Sequence, residues 1–183
     1  MKILQVWNNK ILPENYKLCI KSVNDICRTQ NIEHILVGNK KELFKDLFIS
    51  FIPFQDCVSK YSTDWWEYML NRHNTQADFI RLNFIIEDPE IFYIDADVEL
   101  YTLPEFEKNG RPYFGMSFNY IDFFMAYGNE NSLFFETLLN RIQKRSPRSS
   151  VFMEYFSTLY VEKFPLIKTV NVISEKCYKR NWF

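Results

Sequence analysis

The chain has 183 residues, of which 47% are hydrophobic and 25% charged, and its net charge is −1. That length suits one domain of about 100–200 residues, able to bury around 70% of its unfolded surface without staples. The near-neutral balance gives no reason to expect a nucleic-acid partner, and no apolar run approaches the ~20 residues needed to span a bilayer.

Aromatic residues make up 18% of the chain, with 18 Phe and 11 Tyr, so a core rich in rings is expected. The four cysteines, Cys19, Cys27, Cys57 and Cys177, lack C-x-x-C spacing, which argues against zinc and for free thiols in a reducing compartment. No secretory leader pattern opens the sequence, so a cytoplasmic protein is expected, with peripheral contact at the inner membrane surface as a further option. Charge is uneven. From residue 141 onward nine Lys and Arg face three Glu, and this basic third suits either an anionic surface or an ordinary solvated face.

In chain order, residues 3–7 predict a strand. Pro13 and Glu14 then open a helix to about Arg28, with Tyr16, Ile20, Val23, Ile26 and Cys27 on its buried side. Residues 32–37 predict a second strand, parallel to the first through a right-handed crossover. Residues 40–48 read as a short helix, while 50–59 show no clean period. Residues 63–72 read as helical, offering Trp65, Trp66 and Met69 to the core. A further helix begins at Thr75, where Thr75 and Asp78 have capping-box spacing, and stops at Asp88-Pro89.

Residues 91–94 form an apolar strand that delivers Asp95 and Asp97 at its carboxyl end. Residues 99–103 continue as an extended piece, and 113–118 and 122–127 read as two more strands. Residues 131–144 predict a helix with Leu133, Phe134, Leu138 and Ile142 inward. An aromatic amphipathic helix follows over 151–163, and a last strand over 166–173. Together these elements describe an α/β fold: one domain, 1–183, with a mixed, mostly parallel central sheet flanked by helices.

Asp95 and Asp97 carry the chemistry. Alternation along an extended chain would place both carboxylates on one side, with small Ala96 between them. Two acids so close repel each other unless a cation sits between them, and a hard divalent metal suits oxygen ligands. At the carboxyl end of a strand in an α/β sheet, such a site usually serves a phosphate-bearing ligand. The alternative is a turn that uses Asp for short-range hydrogen bonds.

The order of parts resembles the sugar-nucleotide glycosyltransferases with a DXD-containing sugar-binding region: family 32 and its relatives, including the large clostridial glucosylating toxins. Residues 3–7, the segment Leu12-Pro13-Glu14 and the helix carrying Cys19-Ile20-Lys21-Ser22 fall in the family's order. Ala77-Asp78-Phe79-Ile80-Arg81-Leu82 is similar to its Asp-x-x-Arg helix. About ten residues later comes Phe92-Tyr93-Ile94-Asp95-Ala96-Asp97-Val98, and Phe124-Met125-Ala126-Tyr127-Gly128 then leads into the helix at Leu133. The resemblance spans roughly residues 3–141. It departs where the family's Tyr-Gly-Gly is replaced by Ile86-Glu87-Asp88-Pro89, and where a family Asn falls on Asp122.

That resemblance implies a GT-A-like (Rossmann-like) fold, with 1–103 as the nucleotide-sugar half and 104–183 as the sugar and acceptor half. It implies a metal-dependent hexosyltransferase, working with retention. The donor would be a nucleotide-diphosphate sugar, a UDP-sugar first, and the acceptor a glycan or a lipid-linked glycan of a polysaccharide pathway. It implies a divalent metal, manganese first and magnesium second, held by Asp95 and Asp97 with Asn181 as a further ligand. Arg81 and Asp78 would meet the donor, Trp7 would stack on the base, Asp122 would touch the transferred sugar, and Trp182 would close the donor site. His34 and His73 read as structural. Two other readings stand beside this one. A haloacid-dehalogenase-like phosphatase also sets two acids after a strand, but near the amino terminus and with Thr or Val where Glu99 stands here. A catalytically degenerate glycosyltransferase-like domain would bind a nucleotide sugar or a protein partner without turnover.

Overall fold

The computed structural model describes residues 1–61, 73–117, 120–143 and 171–181. Strand β1 (Lys2–Trp7) leads through helix α1 (Glu14–Gln30) to β2 (Glu33–Gly38). A short 3-10 turn at Lys41–Phe44 precedes β3 (Ser50–Pro53) and helix α2 (Phe54–Tyr61). Helix α3 (His73–Glu87) is followed by β4 (Ile91–Ile94), β5 (Val98–Leu100), β6 (Tyr113–Ser117) and β7 (Tyr120–Tyr127). Helix α4 (Ser132–Gln143), then β8 (Asn171–Val172) and β9 (Tyr178–Arg180), complete the described elements.

Seven strands form one sheet in the order β3-β2-β1-β4-β7-β6-β8. β3, β2, β1 and β4 run parallel, β7 runs antiparallel to both β4 and β6, and β8 is parallel to β6. This is the mixed, mostly parallel α/β sheet expected from the sequence. β1 has parallel neighbours on both sides, β2 reached through α1 and β4 reached much later. Connections leaving the carboxyl ends of β1 and β4 therefore diverge and open a crevice between them.

Alternation along the strands divides the core. Leu4, Val6, Ile91 and Tyr93 face Phe79, Ile80, Leu82 and Ile85 of α3 and Phe135 and Leu138 of α4. Ile3, Phe92 and Ile94 face Val23 and Cys27 of α1 together with Val98, Leu100 and Tyr178 of the small β5–β9 sheet. α1 forms because its buried positions, 19, 20, 23, 24 and 27, recur at helical spacing. Glu14 in its first turn and Arg28 in its last complement the dipole, and Asn31, in the left-handed region at φ 53°, ends it. α3 stops as expected before Asp88-Pro89. There the Asp88 carboxylate accepts from the Glu90 N–H and pairs with Lys2 at 2.8 Å.

Four readings are corrected. Residues 40–48 make only the 3-10 turn. Residues 50–59 contain β3 and α2, whose pattern is masked because a four-residue edge strand exposes both of its ends. Asp95 and Asp97 do not share a face by strand alternation. β4 ends at Ile94 and the chain turns, the Val98 N–H donating to the Asp95 carbonyl at 3.2 Å. Residues 178–180, given no element by the sequence, form β9, paired antiparallel with β5. The helix read over 63–72, with Trp65, Trp66 and Met69, and the aromatic helix over 151–163 lie outside the described residues, as do the Thr75 and His73 side chains. Of the strand read over 166–173, only β8 and Ile173 are described. Among the described residues no helix is long and apolar enough to cross a membrane. The four cysteines are free thiols, with Cys19, Cys27 and Cys57 buried.

One polar chain crosses this core. Asn24 of α1 donates from Nδ2 to the Phe48 carbonyl at 2.6 Å and lies 3.1 Å from Nδ1 of His34. His34 Nε2 lies 3.0 Å from Gln5 Oε1, and Gln5 Nε2 donates to the Asp95 carbonyl at 3.3 Å. A neutral imidazole with its proton on Nε2 satisfies both neighbours. Burial pushes the His34 pKa down to about 4. A depressed histidine contributes stability that is full above its unfolded pKa of about 6.5 and is lost as pH falls toward 4, up to about 3 kcal/mol. The expected result is that the stability difference between wild type and His34→Gln shrinks by that order between pH 7 and pH 4. Urea denaturation at each pH measures it, and a constant difference would count against a neutral His34.

Candidate active site

The crevice at the carboxyl ends of β1 and β4 holds a cavity of about 380 Å³. Trp7, Asn8 and Asn9 enter it from β1 and the loop beyond, and Tyr16 from α1. α3 contributes Ala77, Asp78 and Arg81. Tyr93 and the 95–97 turn form the opposite wall, with Phe124 of β7 and Arg180 of β9. The described elements thus bring Asp78, Arg81, Asp95, Asp97 and Trp7 to one place.

Arg81 is buried among acids. Its Nη2 pairs with Asp78 one helical turn back, its Nη1 lies 3.1 Å from Asp95 Oδ1, and its Cζ sits 4.8 Å over the Tyr93 ring. Burial works against its charge, but Asp78, Tyr93 and Asp95 outweigh that and raise its pKa further. The Asp78–Arg81 pair is therefore no surface ion pair. It fixes a guanidinium against the turn that carries Asp95.

Asp95 also accepts from the Tyr93 hydroxyl on Oδ1, and its Oδ2 lies 3.6 Å from Arg180 Nη2. Asp97 Oδ2 lies 3.2 Å from Arg180 Nε. Burial and the neighbouring Asp97 raise the Asp95 pKa to about 7, against the opposing pull of Arg81, Tyr93 and Arg180. The turn itself is held by main chain: the Asp95 N–H donates to the Phe124 carbonyl at 2.7 Å, and the Asn181 N–H to the Asp97 carbonyl at 2.9 Å.

The divalent metal that the sequence resemblance implies is tested against the residues of this turn. Asp95 and Asp97 supply hard carboxylate oxygens at a cavity wall, with side chains 24% and 18% exposed. Among the described residues no group of three His, Cys, Asp or Glu converges on a metal position. A magnesium ion commonly takes one or two carboxylates and completes its shell from substrate phosphates and water, and this turn offers two carboxylates.

Comparison with solved structures decides the fold. PaToxG glycosyltransferase is similar over 86% of this chain and 67% of its own, with a TM-score of 0.65 at 13% identity. The galactosyltransferase LgtC, in complex with donor and acceptor sugar analogs, is similar over 94% of this chain and 73% of its own, at a TM-score of 0.52 and 13% identity. A glycosyltransferase involved in glycosylation of the major capsid of PBCV-1 gives a TM-score of 0.50 at 12% identity, over 93% of this chain and 79% of that one. The chain has the GT-A glycosyltransferase fold. At sequence level the likeness is faint: no family model matches, and no curated protein does.

The other expected residues take varied places on this fold. Trp7 lines the cavity but is 8% exposed, its ring 4.7 Å from that of Tyr16 and its Nε1 donating to the Ile11 carbonyl at 3.1 Å. Asn181 sits beside the acids through its main chain, while its carboxamide donates to Cys19 Sγ at 3.3 Å. Asp122 pairs by backbone with Gly115 across β6–β7. The Asp122 side chain and Trp182 lie outside what is described.

Arg180, Tyr16 and Phe124 are among the cavity residues that escaped the sequence reading. Arg180 stands on a three-residue strand with no period. Tyr16 reads as an ordinary core position of α1. Phe124 reads as a strand residue, yet its ring lies 4.6 Å beneath the Arg180 guanidinium. Space for that ring comes from Gly115, where a Cβ would stand 2.5 Å from Phe124 Cζ. The available signal was Gly115 inside the strand read over 113–118, since a glycine in a strand interior marks a bulge or a close approach.

Proposed function

We propose that the chain is a metal-dependent glycosyltransferase that moves a hexose from a nucleotide-diphosphate sugar, UDP-sugars first, to a glycan or lipid-linked acceptor with retention of configuration. One observation carries this reading. Three carboxylates, Asp78, Asp95 and Asp97, and two guanidiniums, Arg81 and Arg180, converge in a cavity at the topological switch point of a glycosyltransferase fold.

The chemistry of the step fits those groups. Transfer breaks the bond between the anomeric carbon and the diphosphate, so negative charge builds on the departing oxygen. A divalent ion held by Asp95 and Asp97 would supply charge stabilisation for that leaving group. The chain's own residues hold the rest. Arg81, tied to Asp78 and Asp95, keeps the acid turn in place. Tyr93 donates a hydrogen bond to Asp95 and so favours its ionised form, the form that binds a cation. Trp7 and Tyr16 present an aromatic wall suited to a flat base. Retention and the acceptor class rest on the resemblance to family 32 and its relatives.

The test is calorimetric titration of a panel of nucleoside diphosphates and their sugars, with and without manganese, followed by assay of nucleotide release. Metal-dependent binding of one member with turnover is expected. Absence of metal-dependent binding across the panel would overturn the reading, and binding without turnover would favour the degenerate domain. A manganese or magnesium preference is read from the same titrations.

A further inference from the structure

We propose that Arg180 is a displaceable counter-ion. In the metal-free protein its guanidinium sits on Asp95 and Asp97; when a divalent ion takes those oxygens, it transfers to the donor diphosphate, making metal and diphosphate bind cooperatively. This inference rests on the reading of the site as a nucleotide-sugar donor site.

Register delivers the group. Arg180 pairs with Val98, the residue after Asp97, and the next N–H, from Asn181, donates to the Asp97 carbonyl at 2.9 Å. The guanidinium is thus brought to the acids by strand pairing. It touches Oδ2 of both acids, at 3.6 and 3.2 Å, whereas Arg81 takes Oδ1 of Asp95. The two arginines differ in exposure. Arg81, 7% exposed by side chain, is tied to α3 through Asp78; Arg180, 18% exposed, stands at the cavity wall.

Charge sets the direction of the exchange. With Asp95 ionised, Asp78, Asp95 and Asp97 against Arg81 and Arg180 leave the lining one negative charge in excess. A divalent ion reverses that sign and sets a cation beside Arg180, competing for the same oxygens. A diphosphate removes the conflict, because a guanidinium binds phosphate oxygens in bidentate fashion. The Phe124 face, 4.6 Å from Arg180 Cζ, offers the guanidinium a hold that does not depend on the acids, so leaving the carboxylates does not mean leaving the cavity. Coupling of this kind is reciprocal: each ligand tightens the other by one factor.

The probe is manganese, followed by the electron paramagnetic resonance of the free ion, with and without UDP. In wild type, UDP is expected to tighten manganese about tenfold or more. In Arg180→Gln, manganese alone binds more tightly than in wild type, and the UDP effect falls to within about threefold. Equal manganese affinity and equal coupling in both proteins would overturn the inference while leaving the donor reading intact. If neither UDP nor any other nucleoside diphosphate binds with metal, the donor reading falls and this inference with it. Should Arg180→Gln fail to fold, nitrogen-15 spectra of wild type carry the test, with Arg180→Lys assigning the resonance. The Arg180 Nε–H signal is expected to move when magnesium and UDP are added together, and an unmoved signal at saturation would overturn the inference.

Discussion

Asp97→Ala is expected to lower the rate of sugar transfer by about a thousandfold or more, near 4 kcal/mol of transition-state stabilisation, while the fold persists. Asp97 is one of only two carboxylates on the 95–97 turn, and its Oδ2 faces the cavity side occupied by Arg180. Its removal would deprive the proposed divalent ion of one of its two carboxylate ligands and takes from Arg180 one of the acids it pairs with. The turn should survive, since the Asp97 carbonyl still accepts from Asn181 and Val98 still pairs with Arg180. Nucleotide release under saturating donor and manganese measures the effect, with a thermal melt alongside. A rate within tenfold of wild type would remove Asp97 from the chemistry.

Arg81→Met is expected to be the most destabilising single change at the site, by about 3 kcal/mol at pH 8. Breaking a buried ion pair costs about 3–5 kcal/mol because the surviving charges lose their partner. The low end applies since Asp78 and Asp95 keep 15% and 24% side-chain exposure. The effect carries a pH signature. Asp95 already has its pKa raised to about 7, chiefly by burial, and loss of Arg81 removes one of the influences holding it down. A carboxylate raised above its unfolded pKa loses stability as pH climbs through the folded value. The destabilisation of Arg81→Met should therefore be larger at pH 8 than at pH 5, as urea denaturation at both values would show. A deficit independent of pH would mean that the damage comes from lost packing rather than stranded acids.

Much of the framework was legible because local patterns and tertiary demands agree. The β1–α1–β2 unit shows an apolar run, a helical spacing of buried residues and a second apolar run, and the sheet needs those features. The acid pair was legible because an apolar strand ending in Asp95 and Asp97 is chemically costly unless used. Its geometry was not, because a turn replaces the expected extended chain. β3 and α2 were hidden for another reason. Short edge elements bury too little of either face for a period to emerge. Arg180 was hidden because its meaning comes from a register between two three-residue strands, and nothing in the local sequence of residues 178–181 reports that pairing. Gln5 and His34 each interrupt an apolar strand, and that interruption was the available sign of the polar chain reaching Asp95.

The pairing of β5 with β9 bears on the order of assembly. Asp97 and Arg180 lie 83 positions apart, and closing a loop of that length costs about 4 kcal/mol of chain entropy beyond a constant. The β1–β4 pairing spans a similar separation, but residues 178–181 are synthesised after both of those strands. A nascent chain can therefore lay down β1, β2 and β4 and present its acids well before residues 178–181 arrive. Maturation of the pocket lags behind formation of the scaffold, because the docking of β9 is what brings Arg180 to its wall.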